Sequence, residues 1–154
     1  MPKIELTTLI PAPVEVCFDL ARNIDLHQDS MKASRETAIT GVKNGLIHLH
    51  EEVTWKAKHF GFWFTMKVKI TEFSSPDFFC DEMVKGPFKK MRHEHYFHQT
   101  ENEQTAMKDI FYFESPVGVL GKLVDYFFLK KYMAGLLKRR NQFLKEQSLS
   151  YVPN

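Results

Sequence analysis

Between Phe62 and Thr71 the chain alternates without a break. Phe62, Phe64, Met66, Val68 and Ile70 point one way, while Trp63, Thr65, Lys67, Lys69 and Thr71 point the other. Period two is the signature of an extended strand with one apolar face, so the segment belongs in a sheet. Its neighbours carry the same period. Arg35–Thr40 and Leu46–Lys58 flank Val42-Lys43-Asn44-Gly45, and Asn-Gly between two alternating runs predicts a hairpin. Gly61 marks the next reversal, and Ser74-Ser75-Pro76-Asp77 is a turn by composition. Phe78–Lys85, Lys89–Thr100 and Thr105–Ser115 follow as strands. Links this short between successive strands predict an antiparallel sheet.

The two ends of the chain read differently. Lys3–Ile10 alternates as a strand and stops at Pro11-Ala12-Pro13. Pro13 suits the first turn of a helix, where its missing N–H costs nothing. Val14, Cys17, Phe18 and Ala21 then predict a helix over Pro13–Arg22, and Asn23 is placed to cap a second one over Ile24–Ser30. After Pro116 the period becomes helical. Leu120, Leu123, Val124, Phe127, Ala134, Leu137, Phe143 and Leu144 line one side of a segment from Gly118 to Gln147, and Lys122, Lys130, Lys138, Arg139 and Lys145 occupy much of the rest. Such a stripe needs a partner, and the sheet is the one available. The expectation is one α+β domain over residues 1–154: a strand, two short helices, six more strands and a long carboxy-terminal helix. Where a curved sheet bends away from such a helix, space opens. The 14 Phe suit either a solid core or the walls of a cavity.

Several functions lose their usual signatures. A net charge of +2 is too small for a nucleic-acid partner, which wants a strongly basic patch. Cys17 and Cys80 are too few for a disulfide framework, which points to a reducing compartment. Met1-Pro2-Lys3-Ile4-Glu5 lacks the pattern of a signal peptide, and no stretch reaches the roughly 20 apolar residues of a membrane helix. The expectation is a cytoplasmic protein with no stable membrane insertion; oligomeric state stays open. There is no glycine-rich phosphate loop, no Cys-x-x-Cys and no Gly-x-Ser-x-Gly. No cofactor is expected. Lys130-Lys131 and Lys138-Arg139-Arg140 read as a solvated helix face, with transient contact to acidic lipid as the lesser reading.

Strand parity singles out one constellation. Met91, His93, His95 and Phe97 share a face, with Arg92, Glu94, Tyr96 and His98 opposite; on the next strand Met107, Asp109, Phe111 and Phe113 share one. If both faces look inward, His93, His95 and Asp109 form a polar cluster in apolar surroundings. Four readings stay open: a hydrogen-bonded structural set, an anchor for the polar end of a ligand, an acid–base pair, and a zinc or iron site. No metal is assigned. Trp55 and His59 share parity with Val53 and Ala57 and face either the cavity or its rim. Cys17 reads as a small buried hydrophobe, and neither cysteine has a neighbouring His to make it a nucleophile.

The order of elements resembles the SRPBCC superfamily, the START-like proteins that include plant pollen allergens, lipid-transfer domains and aromatase/cyclases. The residues that carry the resemblance are Trp55-Lys56-Ala57-Lys58-His59-Phe60-Gly61, Gly86-Pro87-Phe88 and His93-Glu94-His95-Tyr96-Phe97. Thr105-Ala106-Met107-Lys108-Asp109 and Pro116-Val117-Gly118-Val119-Leu120-Gly121 complete the set. They are similar to a bacterial subgroup labelled polyketide cyclase/dehydrase or SRPBCC ligand-binding protein. The resemblance implies a helix-grip fold, a seven-stranded curved antiparallel sheet wrapped around the long helix. It also implies a hydrophobic small molecule, such as a lipid or polyketide, held between the two. Trp55, His59, Phe62, Phe64, Met66, Met91, Phe97, Met107, Phe111, Leu123 and Phe127 are then expected at that ligand, with His93, His95 and Asp109 at its polar end. An enzyme of cyclase or dehydratase type using the same three residues is the alternative. A protein-interaction module with a closed interior is the third.

Overall fold

The computed structural model describes residues 1–115 and 125–150. Strand β1 (Lys3–Ile10) is followed by helices α1 (Val14–Ala21) and α2 (Ile24–Ser30) and a 3-10 turn at Lys32–Ser34. Then come β2 (Thr37–Gly41), β3 (Glu52–His59), β4 (Phe62–Ser74), β5 (Phe78–Lys85), β6 (Lys90–Gln99) and β7 (Thr105–Glu114). A π-helical turn at Asp125–Leu129 leads into helix α3 (Lys130–Leu149). The seven strands form one antiparallel sheet in the order β1-β7-β6-β5-β4-β3-β2. From β2 to β7 each strand pairs with the next in sequence, the pattern that short links produce. Strand β1 closes onto β7, with Ile4 opposite Phe111 and Ile10 opposite Thr105.

The short helices form where their end signals predict. The Asn23 side chain accepts a hydrogen bond from Leu26 N at 3.1 Å, capping α2. Helix α1 buries Val14, Cys17 and Phe18. The Phe18 ring meets Phe73, Phe79 and Phe97 edge-on, with centroids 5.3–5.5 Å away. That edge-to-face geometry suits aromatic quadrupoles. Both cysteines are buried and free, and burial pushes the Cys80 thiol up to about 12.

Three expectations need revision. The β2–β3 connection is not a tight Asn44-Gly45 hairpin, and β3 begins at Glu52 rather than Leu46. Residues 42–51 instead reach over to α2. Ile24 N donates to the Gly45 carbonyl at 2.9 Å, and Gly45 N donates to Asp25 Oδ2 at 2.8 Å. Tertiary hydrogen bonds have outcompeted the local turn. Arg140, read as part of a solvated basic face, is 4% exposed and sits on the inner side of α3 with Leu136, Leu137 and Leu144. Leu120, Leu123 and Val124, expected on the helix stripe, lie outside the described residues. No helix among the described residues is long and apolar enough to cross a membrane.

Candidate functional site

Helix α3 does not seal against the sheet. Between them lies a cavity of about 260 Å³, walled by residues of α2, β3, β4, β5, β6, β7 and α3. Trp55, Phe64, Met66, Met91 and Phe111 line it from the sheet, and Met133, Leu136 and Leu137 from the helix. A twisted, curved sheet and a helix laid across it cannot interdigitate their side chains throughout, which leaves space between them.

Polar groups gather at one part of this apolar wall. Asp109, fully buried on β7, accepts from His93 Nε2 at 2.8 Å and Arg140 Nη2 at 2.6 Å through Oδ1, and from Asn141 Nδ2 at 2.7 Å through Oδ2. Asn141 is itself held, with its Oδ1 accepting from Arg140 Nε at 3.0 Å and its Nδ2 reaching Thr8 Oγ1 at 3.2 Å. Beside this set, His95 Nε2 lies 2.7 Å from Asp81 Oδ1 on β5. The two imidazoles are 3.8 Å apart between centroids, and His95 stacks on Phe79 at 4.1 Å. His95 Nδ1 comes within 3.4 Å of Asp109 Oδ1 but is misaligned for a hydrogen bond, so the contact is electrostatic.

Each ionisation state has a cause. Burial alone would raise the Asp109 carboxyl, but Arg140 and the two imidazoles outweigh it and hold the group well below the usual carboxylate range. Asp81 is lowered likewise, its hydrogen bond from His95 overcoming burial. His95, between two carboxylates, is raised above the ordinary imidazole value despite desolvation. His93 goes the other way, pushed down to about 4 by burial and by the like charge of His95. The cluster therefore sets two carboxylates against the Arg140 guanidinium and two imidazoles, with His95 shifted toward its charged form and His93 toward its neutral one.

Strand parity brings together His93, His95 and Asp109; the cluster's three other members, Asp81, Arg140 and Asn141, are not singled out from the sequence. Asp81 follows Phe79 by two residues on β5, so parity places it inward, yet an acidic residue invites a solvent-facing reading. Arg140 and Asn141 fall at the helical spacing of Leu136, Leu137 and Leu144. That spacing was the available signal; the neighbouring Lys138 and Arg139 masked it.

Of the other expected ligand residues, Trp55, His59, Phe64, Met66, Met91 and Phe111 line the cavity. Phe97 and Met107 are buried in the core, outside the cavity wall. Asp109 lies behind His93 and Arg140 rather than in the wall. Phe62 and Phe127, expected as walls, are instead 70% and 69% exposed; Phe62 opens β4 and Phe127 lies in the π-helical turn before α3. Leu123 is outside the described residues. Two further polar pairs line the cavity: His59 Nδ1 with the Tyr132 hydroxyl at 2.6 Å, and His27 Nε2 with Glu36 Oε1 at 2.6 Å. Asp81, His93 and His95 hold possible metal-ligand atoms within 4.8 Å of one another. The Nε2 atoms of the two histidines are engaged by Asp109 and Asp81, so a cation would take their Nδ1 atoms or displace those bonds.

No family model matches the sequence, and no curated protein matches it. Solved structures do. TTHA0849 from Thermus thermophilus superposes with a TM-score of 0.78 at 18% identity, over 97% of this chain and 98% of that one. A START superfamily protein from Mycobacterium smegmatis gives 0.72 at 11% identity, over 95% and 96%. The ginseng major latex-like protein 151 from Panax ginseng gives 0.65 at 15% identity, over 96% and 97%. At such identities the likeness is one of fold, and it is near complete: the chain has the START-like, SRPBCC-type helix-grip fold.

Proposed function

We propose that this chain binds a compact hydrophobic small molecule in the cavity between the sheet and α3. The observation that supports this most is the cavity itself, about 260 Å³ of space with a largely apolar wall and a polar cluster at one part of it. Ligand pockets commonly run from about 300 to 1,000 Å³. A space near the lower end favours a ring system or short acyl chain over a two-chain lipid. Burial of the ligand supplies most of the affinity, at roughly 25 cal/mol per Å² of apolar surface before the costs of association. Trp55, His59, Phe64, Met66, Met91 and Phe111 contact the ligand in this reading, and His93 meets its polar end with His95 packed beside it.

A second reading rests on one feature. His93, oriented by buried Asp109 and bordering the cavity, has the arrangement of a general base, so a cyclase or dehydratase acting on the same ligand is the catalytic alternative. Native mass spectrometry of protein purified without added ligand, followed by denaturing extraction, identifies what the cavity holds. The tryptophans give a second readout, since Trp55 lines the cavity while Trp63 is half exposed. In a Trp63→Phe variant the remaining fluorescence comes from Trp55 and should shift on adding the extracted compound. Absence of both a co-purifying molecule and any Trp55 response to an apolar panel overturns the proposal. A chemically altered product, lost in His93→Gln, moves the assignment to the enzyme.

A further inference from the structure

The polar end of the cavity carries a chemical preference that follows from who is bonded to whom. Asp109 is ionised and can only accept, so His93 Nε2, 2.8 Å from its Oδ1, must carry the proton of that bond. In a neutral imidazole this leaves Nδ1 as a bare acceptor. His93 Nδ1 has no hydrogen-bond partner among the described residues. Unlike His95 Nδ1 it is not sealed from accessible space, and His93 is part of the cavity wall. Arg140 adds the complement. Its Nε is spent on Asn141 and its Nη2 on Asp109, while Nη1 has no partner among the described residues. His93 Nε2 and Arg140 Nη2 bond the same Asp109 oxygen, so the two side chains lie next to each other. The wall thus carries a free acceptor and a free donor on two neighbouring side chains, both anchored on the same buried carboxylate.

Resting on the ligand-binding reading above, we infer that the cavity selects molecules whose inner end is a neutral hydroxyl, a phenol or alcohol, donating to His93 Nδ1 and accepting from Arg140 Nη1, and discriminates against carboxylates. A hydroxyl uses both groups at once. A carboxylate only accepts, so it sets its charge against the His93 lone pair and adds a third anion beside Asp81 and Asp109. A purely apolar end leaves both polar groups dry and unpaired.

Three probes of matched shape separate these cases: 2-naphthol, 2-methylnaphthalene and 2-naphthoate, titrated by calorimetry into the intact protein at neutral pH. The expected order is 2-naphthol at least about tenfold tighter than 2-methylnaphthalene, one buried charge-assisted or neutral hydrogen bond being of that size, with 2-naphthoate weakest. In His93→Phe, checked for a cooperative unfolding transition, the ratio of 2-naphthol to 2-methylnaphthalene affinity should fall towards one, because the ring keeps its place in the wall and loses its acceptor. A readout that needs no variant is the nitrogen-15 resonance of His93 Nδ1, which should move with 2-naphthol and stay put with 2-methylnaphthalene. Equal binding of the two neutral probes, or tightest binding of 2-naphthoate, overturns the hydroxyl preference while leaving the cavity reading standing. Failure of all three to bind overturns both.

Discussion

At the scale of single residues, the buried cluster sets how stability responds to pH. The folded His93 titrates near 4 against an ordinary value of 6.5, so between those values the unfolded chain takes up a proton that the native state refuses. Stability therefore falls as pH drops through that window, by roughly 3 kcal/mol if the shift is realised in full. His95 works on the other side. Its folded value is raised, so its contribution is complete below 6.5 and is lost as pH climbs through the folded value. Asp81 and Asp109 contribute above the ordinary carboxyl range and lose that contribution only as pH falls through their depressed values. Together these place maximum stability near pH 6.5. Urea midpoints measured from pH 4 to 9 should peak there, and His93→Gln should flatten the limb between 4 and 6.5. An unchanged acid limb in that variant would mean the protons are taken up elsewhere.

At the scale of elements, two glycines show opposite constraints. Gly41 ends β2 with φ +77°, next to the register shift where β2 meets β3, and a Cβ there would run into the Glu52 carbonyl. Gly41→Ala should cost about 1–3 kcal/mol, from the left-handed backbone and the collision with a main-chain oxygen that cannot swing away. Gly135 lies inside α3 with open space where its Cβ would be. Gly135→Ala should instead stabilise by about 0.5–1 kcal/mol, since alanine loses less backbone freedom in a helix and meets nothing. Chemical denaturation of the two variants beside the parent checks both signs. The helix gains more from its tertiary anchors than from local preference: Arg140 and Asn141 both bond Asp109 across the interface. With one partner removed, such a buried charge set costs far more than it contributes intact.

At the scale of the whole molecule, a cavity left open in the fold is contact area not yet used. A ligand that fills it stabilises the native state by mass action, about 2.7 kcal/mol at a free concentration one hundred times its Kd. Thermal unfolding with and without the extracted compound should show that increment as a concentration-dependent rise in Tm. Strand parity and helical period already placed all seven strands, both short helices and the inward faces of His93, His95 and Asp109, because those periodicities are local. Lys90–Gln99 and Thr105–Glu114 differ from the expected strands by a residue at one or both ends, and Phe78–Lys85 not at all. Distance along the chain hid the rest. The 42–51 segment forgoes its Asn-Gly turn because α2, 20 residues earlier for the Asp25–Gly45 bond, offers better partners. Arg140 is buried because a carboxylate 31 residues away on β7 compensates it, and no pattern within the helix announces that compensation. Local period decides which way a side chain points; only the packing of α3 over the sheet decides what it finds there, and whether the space between them is filled.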